Sequence, residues 1–492
     1  MPADRWWGWI GPLLVTAFAT YLRFDRLSIP RSIVFDETYY VKDAFGILRY
    51  GVEHSLVSGN TDAMVARGQT HIFAGGSEFV VHPPFGKILI AAGEGLFGLT
   101  PFGWRFAAAV VGSLSVLLLA RIARRMTRST LLGCAAGLLL AVDGLEFVMS
   151  RTALLDIFLM FWILAAFGCL VIDRDWARSR LETSAQGRDG PGPGLGIRPW
   201  RALAGVCVGL ACASKWDGIW YLAAFAVLAL AWDIGGRRAA GFRRLGRGAT
   251  FDGLWLLVSM VVIPVAVYVA TWSGWFASSI GWDRNYAASR GVHTPVISAL
   301  YSLLQYHSEM WHFHINLHQH HPYQSQPWTW LVMSRPVAFF YASPNAGHNG
   351  CQVAHCSQAI LAIGTPTIWW ASIAALTALV VWWLVHRDWR AGAVLLGVAA
   401  GWLPWFAFPD RTKFFFYAVS FAPFLVLAIT LCLGLILGPA RSSPVRRGVG
   451  AAIVGGYLLI VVLNFFYLYP ILAAKVIPYS AWHARMWFAS WI

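Results

Sequence analysis

Residues 153–172, ALLDIFLMFWILAAFGCLVI, decide the fold class of this chain. The run contains one charged side chain, Asp156, and is otherwise almost wholly apolar. About 20 such residues in an α-helix cross the hydrocarbon core of a bilayer, and a helix that is apolar on every face has no side suited to water. The run therefore predicts a membrane-spanning helix with a carboxylate near its beginning.

Comparable runs recur along the chain. Its 492 residues are 58% hydrophobic and 12% charged, which is the composition of an integral membrane protein. We predict an all-α polytopic membrane protein in which residues 1–492 form a single transmembrane domain of about eleven helices. The predicted spans are residues 6–24, 104–122, 131–148, 153–172, 200–213, 218–232, 254–274, 366–385, 391–408, 414–437 and 449–469.

The arginines between predicted spans lie mostly on alternate connections. Because cytoplasmic loops carry the excess of Lys and Arg, the N-terminus is predicted in the cytoplasm and the C-terminus outside. Residues 25–103, which include helices lying along the membrane, and residues 275–365 then form two large external loops. Residues 173–199 form a Gly- and Pro-rich cytoplasmic linker. The formal charge of +15 follows from this asymmetry, so nucleic acid is not an expected partner.

An acidic pair, Asp36 and Glu37, follows the first predicted span in the segment IVFDETYYVKDAF, residues 33–45. Asp is favoured at helix N-caps, so capping is a structural explanation for Asp36. Capping accounts for one acid and not for two. The residues that follow predict a helix along the membrane surface, with an apolar face at helical spacing formed by Tyr39, Tyr40, Phe45 and Leu48.

Further charged residues lie where predicted spans meet the outer surface. Lys215 lies between two short spans in ACASKWDGIWYL, residues 211–222, so we expect it in a cavity below that surface. A structural ion pair of Lys215 with Asp217 is the alternative. Arg151 suits a structural salt bridge with Asp156 or Glu146 at least as well as ligand binding, and Arg105 suits an interfacial arginine as well as a ligand.

The second external loop is rich in histidine and aromatic residues. Its block HPYQSQPWTW, residues 321–330, carries aromatic and amide groups that suit a sugar-like or peptide ligand. A metal site is not expected. The histidine-bearing helix breaks at Pro322, and the sequence near it has no carboxylate besides Glu309 to complete or orient such a site. Cys351 and Cys356 in the same loop form either a disulfide or two free thiols.

Several motifs occur in a characteristic order along the chain: FDE, HPPFGK, an arginine opening the second span, LLDIFL, SKWDG, HPYQSQPWTWLVMSRP and DRTKFFFY. Together they resemble the protein O-mannosyltransferases, which belong to the GT-C class of membrane glycosyltransferases. The HPYQSQPW block is similar to the bacterial, and in particular the actinobacterial, branch. The chain lacks the MIR domain that eukaryotic members insert in the large external loop.

The resemblance implies an activity. A member of this family transfers mannose from a polyprenyl-phosphate-mannose lipid to Ser or Thr hydroxyls of secreted proteins, on the outer face of the plasma membrane and with inversion. The reaction is expected to need no bound metal and no other cofactor. The implied partners are the lipid donor, Ser- and Thr-rich secreted proteins, membrane lipids and the secretion machinery.

The resemblance also implies roles for single residues. Asp36 matches the catalytic acid of the family and is expected to act as general base, while Glu37 orients the site or contacts the acceptor. Basic side chains are expected to bind the donor phosphate, in the order Arg105, Lys215, Arg411 and Arg151. The sugar or acceptor pocket is expected to contain Asp156, His320, His321, Tyr323 and Trp328.

Two other functions fit the same sequence features. Another GT-C transferase, which adds a sugar to a lipid or a wall polysaccharide, would share the acidic motif and the basic phosphate site. A transporter would also hold charges within the membrane. Against transport, the charged positions cluster at one face and inverted repeats are not visible.

Overall fold

The computed structural model describes residues 6–185, 192–242, 247–439 and 441–492. Most of these residues are helical, which confirms the predicted all-α polytopic class. Residues 186–191 of the predicted linker lie outside the described ranges.

The first half of the chain contains twelve α-helices and one small β-hairpin. A π-helical segment, Val258–Val262, joins the last two of these helices. The elements are α1 (Trp7–Phe24), α2 (Glu37–Tyr50), β1 (His54–Leu56), α3 (Thr61–Ala66), β2 (Phe73–Ser77), α4 (Phe85–Phe97), α5 (Pro101–Thr127), α6 (Thr130–Ala141), α7 (Gly144–Met149), α8 (Leu155–Ala185), α9 (Pro199–Ser214), α10 (Gly218–Ala239), α11 (Arg247–Leu257) and α12 (Ile263–Thr271).

The second half contains eight further helices and three strands. Short 3₁₀ segments precede α18 and follow α17 and α20. The elements are α13 (Ser273–Ala277), α14 (Tyr286–Ser289), α15 (Pro295–Ile315), β3 (Val337–Ala342), β4 (Cys356–Ala362), α16 (Pro366–His386), α17 (Trp389–Trp402), α18 (Ala422–Leu437), α19 (Pro444–Leu472), β5 (Val476–Pro478) and α20 (Tyr479–His483).

Each of the predicted spans falls on helical structure. Within the described ranges, eight helical segments are long and apolar enough to cross a membrane. The other three predicted spans fall on α1, on α6 with 12 residues and α7 after it, and on α9 with 16 residues. The total of about eleven spans therefore stays a prediction.

Helix α8, which contains the opening stretch, forms the centre of the bundle. In its most apolar window 78% of the residues are buried within the protein, whereas the corresponding window of α19 is 22% buried. An apolar helix of this kind packs against protein on all sides, while α19 presents most of its surface outward. The start of α8, with Asp156, is thereby fixed inside the bundle.

The predicted linker, residues 173–199, begins later than expected because α8 continues to Ala185. Near the end of the predicted span, Asp173 accepts hydrogen bonds from Arg198 at 2.6 Å and from Arg201 at 3.2 Å. Both arginines also bind Asp233, at 2.7 Å. This buried network holds three helices together at one end of the bundle, and hydropathy alone does not reveal it.

In the predicted first external loop, residues 25–103, α2 packs against α4. Helix α2 forms as predicted, but its outward face differs from the predicted one. Tyr39 and Leu48 are exposed, whereas Lys42 and Asp43 are buried with the rest of the inner face. Ion pairs with other parts of the segment stabilise these charges, for example Lys42 Nζ with Asp62 Oδ1 at 2.9 Å.

The predicted second external loop, residues 275–365, ends in two strands of a three-stranded antiparallel sheet. Strand β4 pairs with β3, with Val337 opposite Ala362, and also with β5 from the C-terminal tail, with Cys356 opposite Pro478. A disulfide joins Cys351 to Cys356 at the β3–β4 turn, so the disulfide alternative is confirmed. The C-terminal tail therefore lies on the same side of the bundle as this segment.

Candidate active site

The site is built on the turn between α1 and α2. Phe35 has a φ of 46°, in the left-handed region, and a residue with a β-carbon stays there only when its surroundings hold it. Its ring stacks on Phe339 at 4.6 Å and meets the edges of Phe414 and Phe416 at 6.1 and 5.5 Å. This aromatic cluster fixes the backbone from which the next side chain projects.

That next side chain is Asp36. It occupies the N-cap position of α2 but makes no capping hydrogen bond, and no hydrogen bond or ion pair is recorded for its carboxylate among the described residues. Burial raises the pKa of Asp36 to about 7, with Lys215 acting to lower it and Asp156 to raise it. The capping explanation therefore fails, and the structure brings Asp36, Lys215 and Asp156 together.

Glu37 is fully buried and fully used. Its carboxylate accepts hydrogen bonds from Arg105, Nε to Oε1 at 2.8 Å and Nη2 to Oε2 at 2.9 Å. It also accepts the backbone N–H groups of Val34 at 3.0 Å and Ala153 at 3.1 Å. Glu37 thereby ties the turn before α2 to α5 and to the segment before α8.

Arg105 differs from its predicted role. Its two bonds to Glu37 are joined by three to backbone carbonyls, those of Leu27, Pro30 and Ser32. These five bonds match the five donors of a guanidinium, and the side chain is closed to solvent. No donor remains for a phosphate, so Arg105 supports the turn that carries Asp36.

Arg151 also differs from its predicted role as a phosphate ligand, because its guanidinium binds backbone carbonyls. Its guanidinium donates to the backbone carbonyls that end α1 and follow it, at 3.0 Å for Leu22, 2.8 Å for Arg23, 2.6 Å for Asp25 and 3.2 Å for Arg26. Carbonyls at a helix C-terminus lack intrahelical partners and are favourable acceptors for a cation. Arg151 therefore caps α1.

Lys215 lies between α9 and α10, where it lines a cavity as predicted, and is 6% exposed. Its Nζ is 2.8 Å from Asp156 Oδ1, 3.9 Å from Asp217 Oδ2 and 4.2 Å from the centre of the Tyr417 ring. Burial acts to lower the pKa of Lys215, but the surrounding carboxylates raise it above its usual value. The amine is therefore a fixed cation beside Asp36.

A cavity of about 440 Å³ opens beside Lys215. Arg411 lines it, stacks over Trp405 at 5.3 Å and donates from Nε to the carbonyl of His314 at 3.1 Å. The remaining wall is mostly apolar and includes Pro264, Val265, Trp311, Ile315 and Phe408. A charged end and an apolar body make this cavity suited to an amphiphile with an anionic head.

Two histidines of the cavity were not among the predicted site residues. The ring of His82, from the HPPFGK motif, lies 5.2 Å from the ring of His314. Burial lowers the pKa of His314 to about 4, helped by the cations of Arg411 and Lys215. Burial likewise lowers the pKa of His82. Both rings are therefore neutral. The HPPFGK motif, which contains His82, was the sequence feature that could have identified this residue as part of the site.

The predicted acceptor residues are only partly brought together. His321 meets the edge of Phe414 at 5.0 Å and so adjoins the aromatic cluster of Phe35. Its neighbour Tyr323 lies beneath Arg335 at 5.1 Å. Trp328 is 61% exposed and packs on Phe406 at the periphery, and His320 is exposed.

Several histidines of residues 275–365 make hydrogen bonds. His307 Nε2 lies 2.6 Å from the hydroxyl of Tyr268, and His314 Nε2 lies 2.8 Å from the carbonyl of Val81. Over the described ranges, no group of three or more His, Cys, Asp or Glu is placed to hold a metal ion.

Two protein families match parts of the chain. Residues 96–276 match the family described as dolichyl-phosphate-mannose-protein mannosyltransferase. Residues 299–491 match the C-terminal four TMM region of protein-O-mannosyltransferase. The two matches cover the parts of the chain that contain Lys215, Arg411 and the bundle core.

Whole proteins match as well. The polyprenol-phosphate-mannose–protein mannosyltransferase of Mycobacterium tuberculosis is 41% identical, over 100% of this chain and 93% of that protein. The Saccharomyces cerevisiae protein O-mannosyltransferase Pmt1–Pmt2 complex bound to the sugar donor has a similar fold, with a TM-score of 0.73 at 15% identity, covering 98% of this chain and 92% of that one.

A more distant fold match is ArnT of Cupriavidus metallidurans bound to undecaprenyl phosphate. It has a TM-score of 0.50 at 16% identity, covering 94% of this chain and 74% of that one. These structures are GT-C membrane glycosyltransferases, which confirms the predicted fold class. By its identity to the mycobacterial protein over the whole chain, this chain belongs to the polyprenol-phosphate-mannose–protein mannosyltransferases and is a membrane glycosyltransferase.

Proposed function

We propose that the enzyme transfers mannose from polyprenyl-phosphate-mannose to Ser or Thr hydroxyls of secreted proteins, on the extracytoplasmic face and with inversion, and that Asp36 is the general base. The observation that carries this proposal is the carboxylate of Asp36, which has no hydrogen-bond partner among the described residues and whose pKa burial raises to about 7, beside the fixed cation of Lys215. A base whose pKa lies near the working pH accepts a proton efficiently.

The proposed reaction is a single displacement. The acceptor hydroxyl oxygen attacks C1 of mannose on the face opposite the phosphate, and its proton moves to Asp36. The C1–O bond to the phosphate breaks, and the electron pair leaves with the polyprenyl phosphate. One displacement inverts the configuration at C1 and requires no covalent enzyme intermediate.

Lys215 and Arg411 are the proposed phosphate ligands. Both line the cavity, and both are held in place, Lys215 by Asp156 and Arg411 by the His314 carbonyl. Fixed cations of this kind stabilise charge as it develops on the leaving phosphate. The apolar wall accommodates the first part of the polyprenyl chain.

His321 and Tyr323 are proposed to contact the acceptor or the sugar. They lie beside the aromatic cluster of Phe35, and His321 and the exposed His320 are accessible from the outer side. Aromatic rings with polar edges suit the stacking and hydrogen bonding that a sugar or an extended peptide requires. In our proposal Asp156 acts through Lys215, and Trp328 binds acceptor segments farther from the reacting atoms.

The proposed topology has the N-terminus in the cytoplasm of a bacterial cell and the catalytic site, the two large loops and the C-terminus outside, in one GT-C domain. The Cys351–Cys356 disulfide supports this orientation, because disulfides persist in oxidising compartments. The C-terminus lies on that side, where Arg335 Nη1 donates to the carbonyl of Ile492 at 2.7 Å. Membrane-impermeant thiol labelling of a Ser490→Cys variant in whole cells tests this topology. Arg128→Cys, on the proposed cytoplasmic side, is the control that should stay unlabelled.

The function is tested with purified protein, radiolabelled polyprenyl-phosphate-mannose and a Thr-rich secreted peptide. We expect label on the peptide, none on the same peptide with Ala at each Ser and Thr, and loss on the order of a hundredfold for Asp36→Asn. Glu182→Gln, which changes an exposed carboxylate near the end of α8 and away from the cavity, is the matched control. Label appearing in a lipid or polysaccharide fraction instead of the peptide overturns the acceptor class.

A further inference from the structure

A second cavity, of about 890 Å³, lies at the end of the bundle opposite the catalytic site. Helix α5 links the two ends: Arg105 near its beginning binds Glu37, and Arg128 follows its last turn. At about 1.5 Å per residue the helix rises about 35 Å between these two arginines. The second cavity therefore lies near the other membrane surface. The donor cavity, which is the cavity beside Lys215, does not extend to it.

Three helix ends each supply an arginine to this cavity. Arg128 directly follows α5, Arg390 is the second residue of α17, and Arg447 lies in the first turn of α19. Arg390 is paired with Asp388, Nη2 to Oδ2 at 2.6 Å, and Asp388 also accepts a hydrogen bond from Trp382 at 3.3 Å.

The other two arginines are uncompensated. Over the described part of the chain, no carboxylate or other hydrogen-bond partner is recorded for the guanidinium of Arg128 or of Arg447. The cavity thus has three cations and one anion, an excess of two positive charges. A ligand that satisfies it carries negative charge.

The deeper wall of the cavity is apolar. Leu132 and Leu379 are buried there, whereas Leu131 and Leu435 are 63% and 45% exposed and continue the apolar surface outward along α6 and α18. A cationic rim above an apolar wall fits a ligand with an anionic head and hydrocarbon tails.

We propose that this cavity binds one anionic phospholipid of the surrounding membrane, with its phosphate between Arg128 and Arg447 and its acyl chains along Leu131 and Leu435. Basic pockets between transmembrane helices at the headgroup level are suited to anionic headgroups. A choline lipid carries its own cation and leaves the excess charge of the pocket unbalanced.

The proposed lipid joins distant parts of the chain. Its phosphate contacts the α5–α6 turn and the start of α19, and the α16–α17 turn closes the third side. A ligand that binds the folded state alone stabilises it by mass action. We therefore expect anionic lipid to raise the unfolding temperature of the purified enzyme.

The test uses the full-length enzyme, delipidated in detergent and then given phosphatidylglycerol or phosphatidylcholine of identical acyl chains. Native mass spectrometry counts the retained lipids, and thermal unfolding is followed in parallel. Arg128→Gln with Arg447→Gln removes the uncompensated charge. The matched control, Arg180→Gln with Arg238→Gln, removes two exposed arginines from helix ends outside the cavity.

We expect wild type and control to retain one phosphatidylglycerol and to unfold at a higher temperature with it, and we expect binding by the test variant to be at least about tenfold weaker. Ala451→Trp, which fills the cavity without removing charge, is expected to lose the lipid as well. Mannosyl transfer by each variant confirms that it has folded.

Three results overturn the proposal. Equal retention of phosphatidylcholine shows that the pocket does not select charge. Full retention by both the double variant and Ala451→Trp shows that the lipid binds elsewhere. An equal rise in unfolding temperature with inorganic phosphate or glycerol phosphate shows that the pocket binds a soluble anion.

Discussion

Glu37 and Arg105 share two hydrogen bonds, of 2.8 and 2.9 Å, in a region closed to solvent. This pair separates the functions of two neighbouring carboxylates. Both oxygens of Glu37 accept hydrogen bonds from Arg105 and from two backbone N–H groups, whereas the carboxylate of Asp36 has no partner in the described part of the chain. One acid of the motif builds the turn, and the other remains available for chemistry.

Glu37→Gln is expected to destabilise the protein. The buried guanidinium of Arg105 loses its counter-charge, and breaking a buried ion pair of this kind costs about 3–5 kcal/mol. Thermal unfolding in detergent measures the loss, and Asp36→Asn serves as the comparison because it removes no hydrogen bond or ion pair within the described ranges. Equal unfolding temperatures for the two variants would show that Glu37 does not support the turn.

The acid limb of the pH–rate profile is expected near pH 7. Burial raises the pKa of Asp36 to about 7, so below that pH the base is already protonated and cannot accept the hydroxyl proton. At pH 5.5 the transfer rate at low substrate should be about thirtyfold below its plateau. Rates from pH 5 to 8 measure this, and a profile that stays flat to pH 5 contradicts the base assignment.

Lys215→Met and Asp156→Asn are expected to move this limb in opposite directions. Lys215 lowers the pKa of Asp36 and is the larger influence, while Asp156 raises it. Loss of the amine therefore moves the limb to higher pH, and loss of the carboxylate moves it to lower pH. Lys215→Met should also raise the KM for the lipid donor on the order of tenfold or more, with the KM for the peptide unchanged.

Lys413→Met is the matched control for Lys215→Met. Its amine donates to the carbonyls of Phe408 and Pro409 and lies outside the donor cavity. We expect its pH profile and donor KM to match those of wild type. If the two lysine variants behave alike, Lys215 has no special role at the phosphate.

Most of the bundle was predictable because membrane spans depend on length and hydropathy, which are local properties. That Asp36 and Lys215 belong to the candidate site was predictable for a related reason. Charged residues next to apolar spans are expensive to bury, and they stand out in a sequence. Asp36, Lys215 and Asp156 do lie together.

The roles of the arginines were not predictable from position. Arg105 and Arg151 lie at the outer ends of spans like phosphate ligands, but backbone carbonyls from α1 and the turn after it use their donors. Those contacts join residues far apart in the sequence. For the same reason, the sequence did not reveal that His82 and His314 share one cavity wall.

Phe35 is expected to position Asp36 through both its backbone and its ring. Phe35→Ala loses the aromatic contacts and keeps a β-carbon at a φ of 46°, with an expected cost of about 3 kcal/mol. Phe35→Gly loses the same contacts but tolerates the left-handed backbone, so it should be more stable than the alanine variant by about 1 kcal/mol. Unfolding temperatures of the two variants measure this difference.

Both Phe35 variants should lower kcat on the order of tenfold or more, because a small displacement of the base impairs proton transfer. Their donor KM should not change, since the cavity with Lys215 and Arg411 remains intact. Phe339→Ala, which removes the stacked partner but leaves the backbone of Phe35 unchanged, should fall between these variants and wild type. A glycine variant less stable than the alanine variant would show that the left-handed backbone is not under strain, and an unchanged kcat would remove Phe35 from the set of positioning residues.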